Sequence, residues 1–463
     1  MKDISTAGRE RLQSRMGFIL LAAGCAIGLG NVWRFPFIVG QYGGGAFVMI
    51  YLGFLFAFGL PIVAMELAIG RGARQNIGLA LRTLEPPGTR WHWYGPVAIA
   101  GNYLLMMFYT VVAGWLLAYF RAMTAGTLAG LGPAELGGFF SALLADPLRM
   151  AAWATAVTWL GMAVCGLGLQ RGVERVNNLL MALLLAVMAA LAIKSLSLPG
   201  AGEGLAFYLR PDLARLRDAG IWNAVNAAMG QAFFTLSLGI GSLAIIGSYT
   251  DRRKTLLGES AAIVGLDTLV ALISGLIIFP ACFAFGVAPD AGPSLIFITL
   301  PNIFNTMTGG QFWGALFFVF LCFAALSTVI AVFENIVSYW IDVHGWSRRK
   351  AAGVHMIALP LLALPCVLGF NAWSGFQPLG AGTSVLDFED FIVSKTLLPM
   401  GALVFLLFCS HARGWGWHRF RAEADAGQGW KIPPWLRGYV AIVLPILVLI
   451  ILIAGYVQTF STP

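Results

Sequence analysis

Gly24-Cys25-Ala26-Ile27-Gly28-Leu29-Gly30 and Thr235-Leu236-Ser237-Leu238-Gly239-Ile240-Gly241 are the two stretches that decide the fold. Each interrupts an apolar run long enough to cross a membrane, and the two stand at corresponding points, five apolar runs apart. Glycine weakens a helix interior by about 1 kcal/mol relative to alanine, so clusters of it in mid-run mark places where the helix gives way. A pair of glycine-broken helices in matching places of two five-helix halves points to an inverted-repeat transporter with its site at the bilayer midplane. An isolated glycine pair would instead be read as close helix packing. The polar neighbours decide between the two: Asn31 and Arg34 follow the first break, and Thr235 and Ser237 sit inside the second. Freed backbone groups and polar side chains therefore converge where lipid could satisfy neither.

The flanking sequence has the composition of a membrane bundle. Of 463 residues, 59% are hydrophobic and 11% charged, against roughly 45–50% and 25% in soluble domains. Runs of about 18 to 25 apolar residues recur from end to end, each able to cross a hydrocarbon layer of roughly 30 Å as helix. The lack of period-two alternation excludes a β-barrel. Spans are expected to start near Met16, Ala46, Tyr94, Ala151, Val176, Ile221, Gly258, Gln311, Ala351, Thr383 and Leu436. The expected fold is an all-α integral membrane protein of about 11 transmembrane helices, a 5+5 inverted repeat with discontinuous helices 1 and 6. It forms one transporter domain over 1–463: a first repeat at about 16–196, a second at about 221–411 and an extra helix at about 436–457. The first apolar run lacks a small-residue cleavage site and is expected to be retained. Between the seventh and eighth spans, Pro289 to Gly310 contains an apolar stretch, Ser294 to Pro301, too short to cross and expected to fold back as a short helical hairpin over the outer vestibule.

The formal charge is +8, but its distribution argues against a nucleic-acid partner. With the N-terminus placed inside, most of the 29 lysines and arginines fall in inner segments: Lys2 to Arg15, Arg71 to Arg90, Arg171 and Arg175, Arg252 to Lys254, Arg348 to Lys350, and Arg413 to Arg437. That skew is the positive-inside rule, so the N-terminus is expected to be cytoplasmic and the C-terminus outside. The six cysteines lie within or beside apolar runs and imply no disulfide framework. The sequence contains no Asn-x-Ser/Thr acceptor, and the second outer loop is short, which favours a bacterial inner-membrane protein. Trp91, Trp93, Trp415, Trp417, Trp430 and Trp435 cluster near inner loops as interfacial anchors. No His-Glu-x-x-His, Gly-x-Ser-x-Gly or Cys/His constellation appears, so the chain is not read as an enzyme.

A charge at mid-bilayer costs from about 3 to more than 10 kcal/mol, which makes ionisable residues inside spans functional candidates. They are Arg34, Glu66, Asp267, Glu334 and Asp390, with Asp387, Glu389 and Lys395 near the outer start of the tenth span. The competing explanation for each is a structural ion pair.

Gly28-Leu29-Gly30-Asn31-Val32-Trp33-Arg34-Phe35-Pro36, followed by Gly43-Gly44-Gly45-Ala46-Phe47, resembles the signature of the neurotransmitter:sodium symporter family. The likeness continues through the sixth-span break, Ala324-Ala325-Leu326-Ser327-Thr328 and the Asp390 region, and so covers nearly the whole chain; eleven spans are similar to the family's shorter bacterial amino-acid carriers. The resemblance implies sodium as the coupling ion, in two sites. The first would use the carbonyl of Ala26 with the side chains of Asn31, Thr235 and Asp267 and the substrate's own carboxylate. The second would use carbonyls of Gly24, Ile27 and Ala324 with the hydroxyls of Ser327 and Thr328. Helix back-bonding is the alternative for those two hydroxyls.

For the substrate, the resemblance implies Cys25, Ala26, Gly28, Leu105, Tyr109, Phe234, Thr235, Ser237, Ile240, Ser327 and Val332. Ala26 stands where the family's monoamine carriers use Asp, so an α-amino acid with its own carboxylate is expected. Asp267 stands where many members have Asn; its carboxylate is expected to supply the negative charge that chloride supplies elsewhere, and Ala271, one turn later, adds no polar group. The resemblance further implies an outer gate of Arg34 with Asp390 and an inner gate of Arg9 with Asp342, beside Tyr249 and Glu334. Glu66 is expected to brace the broken first helix.

The function expected is sodium-coupled import of a neutral, hydrophobic L-amino acid by alternating access, independent of chloride. The expected partners are the amino acid, sodium ions and the bilayer, for a monomer or weak homodimer. A proton-coupled carrier using Asp267 or Glu66 and a non-transporting amino-acid sensor are the alternatives.

Overall fold

The computed structural model describes residues 10–287 and 295–461. Among them there is no named strand, only the isolated bridges Gly44 to Pro211 and Lys254 to Gln428. Nine helices among the described residues are long and apolar enough to cross a membrane, or ten spans if a bent pair is counted as one. The bent pair is α1, Arg15–Ala26, and α2, Gly30–Gln41, inclined to each other by 57°. Then come α3, Gly45–Ala73; α4, Trp91–Thr124; α5, Pro147–Gly166; and α6, Leu169–Leu196. The sixth expected span is two short helices, α7, Ile221–Thr235, and α8, Ser242–Ser248. Neither of these two is long enough by itself to cross, so they are not among the nine or ten candidate spans of the described residues. The remainder are α9, Leu256–Ala284; α10, Gly310–His344; α11, Arg348–Leu368; α12, Val385–Ser410; and α13, Leu436–Phe460.

Both breaks fall where the glycines stand. α1 ends because Ile27 turns to an extended ψ of 105°, and α2 restarts with a wide π turn over Gly30–Arg34. Between α7 and α8 the backbone passes through positive φ at Ser237 (50°), Gly239 (101°) and Gly241 (78°). Only glycine takes such angles without strain, so Ser237 is held there by its surroundings. A Cβ on Gly239 would collide with the Leu398 carbonyl, and one on Gly401 with the Gly239 carbonyl. The second break is thus pressed against α12.

Burial sorts the helices into a centre and a rim. The most apolar windows of α4 and α10 are 72% and 78% buried, whereas those of α6 and α13 are 33% buried. α4 and α10 also make the most extensive packing pair. The rim presents Trp159, Leu160, Leu179, Ile193, Leu361, Ile446 and Ile453 outward, as a lipid-facing surface requires.

Most helix starts lie within a few residues of expectation. α6 starts earlier, because a π segment with Arg171 and Glu174 precedes its apolar run. Glu174 is buried and accepts the backbone N–H groups of Gln13 (2.9 Å) and Ser14 (3.3 Å). Part of the expected outer hairpin, Pro289 to Ser294, lies outside the described residues. The rest of it includes one short helical segment, Leu295–Thr306. Phe297 from that segment stacks on Phe140 (4.7 Å) and meets Tyr119, Trp115 and Trp33 at 5.0, 5.9 and 6.2 Å, forming an aromatic roof.

Candidate functional site

The two breaks face each other across one pocket, lined by Ala26, Gly28, Leu29 and Gly30 from the first and Phe234 and Ser237 from the second. Leu105 and Tyr109 of α4, Thr328 of α10 and Leu398 of α12 close it. Of the expected substrate residues, Ala26, Gly28, Leu105, Tyr109, Phe234 and Ser237 therefore meet here. Cys25, Thr235, Ile240, Ser327 and Val332 are buried nearby but lie outside this lining. Leu29, Gly30, Thr328 and Leu398 join the lining without having been expected in it. The Tyr109 hydroxyl accepts the Leu29 N–H at 3.2 Å and also bonds with the Thr328 side chain. Gly28 is tight: a Cβ there would stand 2.6 Å from the Tyr109 hydroxyl and 2.7 Å from Thr328 Oγ1.

Beside the pocket, the Asn31 amide donates to Asp267 Oδ1 at 2.8 Å and the Thr235 hydroxyl donates to Asp267 Oδ2 at 3.2 Å. Asn31 Oδ1 accepts the Gly28 N–H at 3.1 Å. All three side chains are buried, and among the described residues Asp267 takes part in no ion pair at 4.0 Å or less. A buried carboxylate without a protein cation costs several kcal/mol. A sodium ion among these hard oxygens would offset that cost, and the residues present fit one.

The groups expected around a second cation also lie close together. Thr328 Oγ1 lies 3.1 Å from the Ile27 carbonyl and 3.3 Å from that of Gly24. Ser327 Oγ lies 2.9 Å from the Ala324 carbonyl and 3.3 Å from that of Ile27. Each hydroxyl has one proton yet faces at least two carbonyls, so acceptor lone pairs outnumber donors. The contacts to Ala324 are the helix back-bonds that would serve structure alone; those to Gly24 and Ile27 cross to α1 and are not.

Glu66 braces the second break rather than the first. Its carboxylate accepts the N–H groups of Gly239 (3.1 Å) and Leu243 (3.2 Å). The reason is topological: α3 packs along α8, so its acid meets the N–H groups that the second break leaves free. The break's carbonyls find partners as well. Tyr94 donates to that of Gly239 at 2.9 Å and Asn102 to that of Ile240 at 2.8 Å. Neither residue was expected from the sequence; a lone Asn inside an apolar run was the available signal for Asn102.

At the outer end, Arg34 does not close on Asp390. Its guanidinium lies over the Phe234 ring, 4.3 Å from the centroid, and no Arg34 ion pair at 4.0 Å or less occurs among the described residues. Asp390 instead accepts the Ser394 hydroxyl at 2.5 Å. The inner end is tied. Tyr249 donates to Glu334 at 2.6 Å, and Arg348 reaches Glu334 at 2.6 Å and Glu10 at 3.2 Å. Arg9, the expected partner of Asp342, lies outside the described residues; Asp342 accepts the Asn76 N–H at 2.7 Å. Arg348 was not among the expected gate residues because it sits 14 positions from Glu334, across the turn between α10 and α11. Below the gate, Arg11, Ser14, Arg15, Thr250, Asp251 and Arg253 border an inner cavity of about 190 Å³. Beside it, burial first and then the charges of Arg11 and Arg252 hold the Arg74 guanidinium below its ordinary pKa.

Comparison with known proteins bears on this arrangement. A family model described as the sodium:neurotransmitter symporter family matches residues 9–130 and 146–462. The chain is 35% identical to the sodium-dependent transporter YhdH of Bacillus subtilis (strain 168), covering 85% of this chain and 86% of that protein. It is 30% identical to a sodium-dependent transporter of Haemophilus influenzae, covering 96% and 98%. Among solved structures, the crystal structure of MhsT in complex with L-phenylalanine superposes with a TM-score of 0.85 at 38% identity, covering 97% of this chain and all of that one.

Proposed function

The chain belongs to the sodium:neurotransmitter symporter family, and on that footing we propose that it imports a hydrophobic L-amino acid together with sodium by alternating access. The coarser part follows from membership: the protein is a multi-pass, sodium-dependent membrane symporter, of a family of transporters rather than enzymes. The finer part rests on one observation. The lining of a pocket between two broken helices is divided between the Tyr109 and Ser237 hydroxyls with the Gly28 to Gly30 backbone and the apolar side chains of Leu105, Phe234 and Leu398, beside an Asp267 that has no ion pair among the described residues.

A zwitterionic substrate fits that division. Its carboxylate suits the helix ends at the break and would complete the shell of a sodium held by the Ala26 carbonyl, Asn31, Thr235 and Asp267. A second ion would take Gly24, Ile27, Ala324, Ser327 and Thr328. MhsT, seen with L-phenylalanine, supports a hydrophobic side chain. Uncharged Ala26 supports an α-amino acid over an amine. Each sodium moved inward gains about 2.3 kcal/mol per 100 mV, so two would drive about a thousandfold accumulation or more at that voltage. The halves at about 16–196 and 221–411 would rock about this site, in a bacterial plasma membrane with the N-terminus inside, as a monomer or weak homodimer.

Asp267 also supports chloride independence, because its fixed negative charge takes the place of a bound anion. The test is uptake of the twenty amino acids into proteoliposomes, with sodium replaced by potassium and, separately, chloride by gluconate. Saturable, sodium-dependent uptake of a hydrophobic amino acid that persists in gluconate is expected. Absence of sodium-dependent uptake for all twenty would refute the reading, and collapse in gluconate would refute its chloride clause.

A further inference from the structure

Asn102, Asn335 and Asn76 lie on three separate elements and form one buried column of hydrogen bonds. Asn102, on α4, donates to the Ile240 carbonyl at the second break (2.8 Å). Its own carbonyl accepts from Ser242 (3.0 Å), the first residue of α8, and from Asn335 of α10 (3.0 Å). Asn335 Oδ1 in turn accepts from the Asn76 amide (2.7 Å), which also donates to Ser338 (2.8 Å). Asn76 caps the helix Ile77–Leu84 through the Gly78 N–H (2.9 Å), and its own N–H is held by Asp342 (2.7 Å). All three amides are fully buried.

We propose that Asn102, Asn335 and Asn76 are positioning residues that couple the second break at the substrate pocket to the inner gate. The claim rests on the symporter reading above, and it adds a part that neither the pocket nor the gate residues contain. The column crosses from the break to α4, to α10 and to the inner helix Ile77–Leu84. Any motion that separates those elements must break at least one of its bonds. A buried polar network whose members are all paired is stiff, and it loses heavily when one link is removed. In this structure the column is intact while Tyr249, Glu334 and Arg348 are joined. Its bonds therefore add to the stability of the inner-closed arrangement and hold the Ile240 carbonyl in place while that arrangement lasts.

The full chain in detergent provides the test, with Thr250→Cys as a reporter on the inner cavity; the six native cysteines are all buried. The readout is the rate of modification by a small maleimide. Asn335→Ala and Asn102→Ala should each raise that rate about fivefold, the weight of roughly one net hydrogen bond. The double variant should be no faster than the faster single, because both cut one chain. Should Asn102→Ala fail to fold, Asn335→Ser takes its place with the same expected direction. Asn305→Ala removes a partly buried amide at the outer side that also donates twice, to Leu128 and Leu131, and should leave the rate unchanged. Unchanged labelling, additive effects in the double variant, or an equal rise in Asn305→Ala would each overturn the column. Wild-type uptake is measured alongside: if sodium drives no uptake of L-phenylalanine or any other amino acid, the symporter reading falls, while the labelling series still decides the coupling.

Discussion

Single atoms carry the proposed coupling of ion and substrate. The Asp267 carboxylate sits between the Asn31 amide and the Thr235 hydroxyl, so Asp267→Asn keeps the shape and removes the charge. The half-saturating sodium concentration for uptake should rise about tenfold, equivalent to about 1.4 kcal/mol; an unchanged sodium titration would remove Asp267 from the site. Gly28→Ala tests the pocket sterically, because its methyl would stand on the Tyr109 and Thr328 oxygens. Uptake should fall below about a tenth of wild type, with a modest fall in melting temperature, because an extra methyl in a packed site costs about 1–3 kcal/mol. At this scale much was legible in the sequence. Asn31, Thr235, Asp267, Ser327 and Thr328 meet in the combinations that the resemblance implied. Asn102, Tyr94 and Arg348 were not foreseen, because each acts on a partner remote in the chain and nothing in local spacing points to it.

Elements decide how those atoms are held. Glu66 satisfies two N–H groups of the second break with its two oxygens. In Glu66→Gln one of them would face an amide donor. An unsatisfied buried donor costs about 1–3 kcal/mol, so a clear fall in melting temperature with a parallel loss of uptake is expected, and fluorescence-based unfolding of the purified protein measures it. At the inner gate, the Arg348 side chain is 17% exposed and that of Glu334 1%. Arg348→Met would strand a buried carboxylate at a cost of about 3–5 kcal/mol. The inner face should open or the protein should destabilise; inner-cavity labelling and a thermal melt read the two outcomes. The glycine clusters revealed both breaks in advance, since backbone conformation is a local property. The brace on the second break was assigned to the wrong helix, because which helix α3 lies beside is set by packing and not by sequence neighbours. The early start of α6 escaped apolar counting for a related reason: Glu174 is charged yet buried by its bonds to the N-terminal segment.

Across the whole molecule, hydropathy was sufficient to show a helical bundle in lipid, and pattern alone could not show which helices form its centre. That sorting is written in burial. α4 and α10 have 34 and 35 residues, or about 50 Å at 1.5 Å per residue, far more than a hydrocarbon layer of roughly 30 Å. They reach past the membrane at their ends yet are screened from it by their neighbours. Of the rim helices, α5 and α11 are the shortest, with 20 and 21 residues, close to about 30 Å, whereas α6 and α13 have 28 and 25. Bilayer thickness therefore acts on the carrier through its short outer helices, and thickness mismatch costs fractions of a kcal/mol per Å. Reconstituted into phosphatidylcholines of increasing chain length, the protein should transport fastest where the lipid matches this rim, and slow on either side as the rim tilts or stretches its surroundings. The long central helices, with their ion and substrate groups, would feel the membrane only second-hand.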